Sequence, residues 1–80
     1  MKVVAVVPCF NSSKIAKNVV KELLDFVDYV VCVDDFCPEN TGLNIEKSIQ
    51  SERLQVIYHS KNMGVGGATK TGIKYAISID

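Results

Sequence analysis

Tyr29-Val30-Val31-Cys32-Val33 runs straight into an acidic pair, Asp34-Asp35, and then into the turn-forming stretch Phe36-Cys37-Pro38-Glu39-Asn40-Thr41-Gly42. A valine-rich run without polar alternation reads as a parallel strand buried on both faces. Carboxylates at its C-terminal end fall on the rim where open α/β sheets bind ligands. The beginning of the chain repeats the arrangement, with Val3-Val4-Ala5-Val6-Val7 running into Pro8-Cys9-Phe10-Asn11. Pro8 is expected to stop this first strand. Two strand ends furnished with polar and aromatic groups predict a small-molecule crevice of the kind that takes a nucleotide.

Outward from these strands, apolar runs alternate with helical patterns. Asn11, Ser12 and Ser13 offer N-cap side chains, and Ile15, Val19, Val20, Leu23, Leu24 and Val27 then recur as one apolar stripe. Thr41 is expected to cap a weaker helix over 42–50. Leu54-Gln55-Val56-Ile57-Tyr58 is a third strand. A loop with Asn62 and Gly64 leads to a helix over 66–79, with Ala68, Ile73, Ala76 and Ile77 predicted to face inward. Three consecutive βα units imply an α/β fold with a parallel, Rossmann-like sheet and right-handed crossovers.

Composition narrows the function classes. Eighty residues make at most one domain, and a chain this short buries only about 60–65% of its unfolded surface. Lys plus Arg and Asp plus Glu are nine each, with the positive charges scattered, so nucleic acid is not an expected partner. No apolar run approaches the ~20 residues of a membrane span, and the apolar start is too short for a secretory leader. A cytoplasmic protein is predicted. Cys9, Cys32 and Cys37 show no paired spacing and read as small buried hydrophobes in a reducing compartment, with Cys37 beside the acidic pair.

Several residues carry candidate chemistry. Asp34 and Asp35 suit turn initiation, or acceptance of hydrogen bonds from a ribose hydroxyl or base N–H. Phe10 is core filler or a flat face for a base. Gly64-Val65-Gly66-Gly67-Ala68-Thr69-Lys70-Thr71 approaches the P-loop pattern, but Thr69 stands where a second Gly is required. As a dinucleotide fingerprint it lacks the final Gly. What remains is a glycine-rich helix start whose N–H groups can face an anion, or a loop needing close packing. His59 and Lys61 read as solvated loop residues.

Three segments occur in order: Val4-Ala5-Val6-Val7-Pro8-Cys9-Phe10-Asn11, Val30-Val31-Cys32-Val33-Asp34-Asp35 and Asn62-Met63-Gly64-Val65-Gly66-Gly67-Ala68. Together they resemble the N-terminal, nucleotide-sugar-binding half of the GT-A family-two glycosyltransferases. The third is similar to the dolichyl-phosphate-mannose-synthase-like branch, whose members often glycosylate polyprenyl phosphates. The resemblance implies nucleotide-binding roles for Pro8, Phe10, Asn11, Asp34, Asp35, Asn62, Gly64, Gly66 and Gly67, with a UDP- or GDP-sugar as partner. It also implies Mg²⁺ or Mn²⁺ in a full-length parent, which a polyprenyl-phosphate acceptor would place at the cytoplasmic face of a membrane.

The family's metal-binding Asp-x-Asp does not occur in this sequence, and neighbouring Asp34 and Asp35 point to opposite faces of a strand. Residues 1–80 are therefore expected to be part of a nucleotide-binding domain, with no catalytic residue and no tightly bound metal of their own. In the family the Asp-x-Asp strand pairs with the first strand, so the fragment is expected to form a homo-oligomer through Val3–Val7. The competing expectations are a non-catalytic nucleotide-binding or regulatory domain, and an NTPase using Lys70 and Thr71.

Overall fold

A computed structural model describes residues 3–10, 13–36, 38 and 40–79, with 13 and 14 by their backbone alone. Strands and helices alternate: β1 (Val4–Cys9), α1 (Ser13–Leu23), β2 (Tyr29–Asp34), α2 (Thr41–Ser48), β3 (Leu54–Tyr58) and α3 (Gly64–Ile79). The sheet has the order β1-β2-β3. Both pairings are parallel, from Val4↔Tyr29 to Cys9↔Asp34 and from Val30↔Leu54 to Asp34↔Tyr58. This is the expected α/β arrangement of three βα units.

The valine run is the centre of it. Val30, Val31, Cys32 and Val33 are wholly withdrawn from solvent. Strand alternation sends Val30 and Cys32 to one face, where they meet Ala16 and Val20 of α1, Leu24 just past its end and Ile45 of α2. Val31 and Val33 emerge on the other face, with Ala68 and Tyr75 of α3. Cys9 and Cys32 are free and buried, their sulfurs 2.7 Å apart. The Cys32 thiol is pushed far above the usual thiol range, first by its hydrogen bond with Cys9 and then by burial, so it stays protonated. Cys37 lies outside the described residues.

Three local expectations are corrected. Pro8 does not stop β1, which continues to Cys9. The carbonyls of Val3 and Cys9 accept the N–H groups of Tyr29 and Asp35. Odd-numbered residues of β1 thus face β2, while Pro8 faces the open edge, where its missing N–H costs the ladder nothing. The buried stripe of α1 is Ala16 and Val20, continued by Leu24 just past its end, leaving Ile15 and Val19 exposed. In α3 the inward positions are Ala68 and Gly72, and Ile73 and Ile77 are exposed. At Ala68 and Gly72, α3 approaches the sheet closely enough to favour small residues over large ones.

Gly72 marks the closest approach. A Cβ there would collide with Cγ1 of Val6 and come within 3.3 Å of its Cβ. Gly72→Ala is therefore expected to destabilise the fold by about 1–3 kcal/mol through overpacking. At Gly66 a Cβ would meet nothing within 4 Å, so Gly66→Ala should leave stability equal or slightly higher. Urea unfolding of the two variants against the parent sequence measures the contrast.

Candidate functional site

The last residue of β2, Asp34, and the residue after it, Asp35, send their carboxylates to opposite sides of the sheet. Asp34 belongs to the α1/α2 face, and its Oδ2 accepts the N–H of Gly42 at 2.7 Å. Asn40, at φ 56°, turns the chain into α2 without a side-chain cap of its own. The carboxylate from β2 thus meets the positive end of α2. This contact requires glycine: a Cβ on Gly42 would stand 2.8 Å from Cβ and Oδ2 of Asp34 and 3.0 Å from Cε1 of Tyr58.

Asp35 takes the other direction. Its Oδ1 accepts the backbone N–H of Met63 at 2.8 Å and lies 2.8 Å from Nδ1 of His59. Nε2 of His59 is 2.8 Å from Oγ1 of Thr71. The His59 hydrogen bond, followed by the N–H of Met63, holds the Asp35 carboxyl below the usual range. Both aspartates are only 4% exposed, yet each is met by backbone donors, as a buried carboxylate requires. On β3, partial burial and donation to Oε1 of Glu46 push the Tyr58 hydroxyl up to about 12.

Two cavities open at the C-terminal rim of the sheet. The larger, about 610 Å³, is lined by Phe10, Asp34, Phe36, Pro38, Asn40, Leu43, Tyr58, His59 and Asn62. The smaller, about 160 Å³, is lined by Pro8, Cys9, Phe10, Asp35, Val65 and Ala68. Phe10, about half exposed, borders both. Three aromatic rings with a carboxylate and amide groups suit a planar, hydrogen-bonding ligand, and the larger volume falls in the usual range for small-molecule pockets.

The rim gathers Pro8, Phe10, Asp34, Asp35 and Asn62 around these cavities. Gly64, at φ 80°, opens α3, with Gly66 and Gly67 in its first turn, and none of the three lines either cavity. Asn11 lies outside the described residues. His59 corrects its expected role, because its side chain is only 9% exposed and bridges two partners. Phe36, Tyr58 and Gly42 were not singled out from the sequence. The positive φ of Phe36, 58°, is unusual for a residue with a bulky side chain. Among the described residues, no group of three or more His, Cys, Asp or Glu side chains can hold a metal.

Residues 4–78 match the family described as Glycosyl transferase family 2. The chain is 34% identical over 89 residues to a UDP-N-acetylglucosamine–dolichyl-phosphate N-acetylglucosaminyltransferase of Methanococcus voltae, with 92% of this chain and 35% of that protein covered. It is 32% identical over 79 residues to an uncharacterized protein of Methanocaldococcus jannaschii, covering 96% of this chain and 34% of the relative. The chain thus spans about a third of the length of either relative. No solved structure matches it.

The lowered Asp35 carboxyl makes stability depend on pH in a defined direction. Its contribution is fully present above the unfolded-state aspartate value, near pH 4, and is lost as pH falls through the lower folded-state value. Thermal unfolding from pH 7 down to pH 2 is expected to show a falling acid limb. In Asp35→Asn the limb should be shallower, while stability near neutral pH is lower.

Proposed function

This chain belongs to glycosyl transferase family 2, and from that membership we propose that its sheet rim binds the nucleotide of a UDP- or GDP-sugar donor. The observation that carries this reading is the position of Phe10 between two cavities, one bordered by Asp34 and the other by Asp35. The base stacks on Phe10, and the rim's carboxylates and amides meet its hydrogen-bonding edge or the ribose. The diphosphate lies toward the glycine-rich start of α3, whose N–H groups favour negative charge. We read residues 1–80 as part of the nucleotide-binding domain of a longer inverting glycosyltransferase that acts at the cytoplasmic face of a membrane. The name of the Methanococcus relative supports a polyprenyl-phosphate acceptor. No helix among the described residues is long and apolar enough to cross the membrane itself.

The side chains here do not fit a divalent cation. Asp34 and Asp35 diverge, one accepting an N–H from the start of α2 and the other the N–H of Met63 just before α3, and among the described residues no third ligand joins either. In this reading the parent's Mg²⁺ or Mn²⁺ is held by other residues, and residues 1–80 bind nucleotide without it. Calorimetric titration with UDP and GDP, with and without Mn²⁺, is expected to give weak, metal-independent binding. Phe10→Ala should weaken it roughly 5- to 150-fold, the range of one stacked base, and Asp34→Ala should weaken it as well. Binding indifferent to both changes would place the nucleotide elsewhere, and strong dependence on Mn²⁺ would reveal a metal site.

We further propose that the chain pairs with itself through β1, because this strand forms an edge of the described sheet and unpaired edges invite a partner strand. Light scattering at micromolar concentration is expected to give twice the chain mass, and Val4→Lys should shift it toward the single-chain value. A parent sequence that stays monomeric overturns the pairing.

A further inference from the structure

His59 ties β2, β3 and α3 together at this rim. Its backbone N–H donates to the carbonyl of Asp34 at 2.9 Å, fixing its place at the end of β3. Its ring then spans from Oδ1 of Asp35 on one side to Oγ1 of Thr71 on the other, 2.8 Å from each. Thr71 in turn donates to the carbonyl of Gly67, one turn back along α3, at 3.1 Å. Met63, just before α3, donates its N–H to the same Asp35 oxygen. One carboxylate oxygen therefore holds the start of α3 by two routes, one direct through Met63 and one through the imidazole.

We propose that His59 is a positioning residue, a brace that fixes the first turns of α3 against β2 so that the glycine-rich N–H groups are already aimed when the nucleotide arrives. The proposal rests on the nucleotide reading of the rim for its ligand, but the brace itself belongs to the free protein.

Proton counting supports a bridge over a solvated ring. A carboxylate only accepts, so Nδ1 carries hydrogen. If Nε2 also carries one, it donates to Oγ1, and Thr71 keeps its own hydrogen on the Gly67 carbonyl. If Nε2 is bare, the hydroxyl turns to it and releases that carbonyl. Both contacts of the ring survive in either case. The two amide side chains divide the bridge: Asn at 59 places a donor where Nδ1 stands, and Gln places one where Nε2 stands.

Amide hydrogen exchange on the 80-residue chain without ligand tests the brace directly. His59→Leu is expected to speed exchange about tenfold at Met63, whose N–H is held by Asp35, and at Ala68 to Thr71, the first amides bonded within α3, a local opening, while the β2–β3 ladder is unchanged. Thr71→Val should reproduce part of this effect. His59→Asn should recover the Asp35 half and His59→Gln the Thr71 half. If His59→Leu fails to fold, as circular dichroism would reveal, the Asn and Gln variants carry the comparison. Nitrogen-15 shifts of the ring should place hydrogen on Nδ1 in the parent sequence.

Under conditions where each variant is folded, UDP or GDP should bind about tenfold more weakly to His59→Leu. Exchange at Met63 and Ala68 to Thr71 that is unchanged, or that rises uniformly across the whole fold, overturns the brace. Local loosening with unchanged nucleotide affinity overturns its role in positioning. A parent sequence that binds neither nucleotide sinks the nucleotide reading instead, and exchange still judges the brace.

Discussion

Burying Val30 to Val33 on both faces obliges β2 to have a cover above and below, and most of the architecture follows from meeting that demand. α1 and α2 close one face, and α3 crosses back over the other. Because successive side chains alternate, the same demand decides what happens where the strand runs out. Asp34 emerges under α2 and Asp35 under α3. Two adjacent carboxylates that would repel each other across one pocket are sent to separate helices.

Each carboxylate then becomes an organising charge. An ionised group withdrawn from water is tolerable only where donors replace its hydration, and here backbone N–H groups near the starts of two helices supply them. Gly42 allows α2 to come within bonding distance of Asp34. His59 and Met63 do the equivalent for Asp35. The result is a rim whose carboxylates are held by the protein's own donors, with aromatic rings of Phe10, Phe36 and Tyr58 around the larger opening. Preorganisation of this kind lowers the ordering cost of binding.

The strands were legible because a short valine run bounded by turn residues can bury all its side chains only as a strand covered on both faces. That a crevice opens at the rim was legible because the C-terminal strand ends of an open parallel sheet leave one there. Helix orientation was read less well. In α3, hydrophobic ranking selects Ile73 and Ile77, whereas close packing against the sheet selects Ala68 and Gly72. Size, not hydropathy, decides which side faces in when backbones approach this closely. His59 was misread for a different reason. Its partners stand 24 and 12 residues away, so no local spacing announces them, and an isolated histidine after a strand looks like any loop residue. Gly42 was equally silent, because its requirement is set by a side chain eight positions earlier.

Pro8 has a consequence beyond its place in β1. Since the even-numbered residues of that strand face the open edge, Val4 and Val6 offer both a donor and an acceptor there, but Pro8 offers only its carbonyl. A strand added to this edge would find its hydrogen-bond track interrupted one step below the crevice. Pro8 thus works as a terminator: it limits how far a neighbour can zip along β1, and it leaves the segment bearing Phe10 clear at the mouth of both cavities.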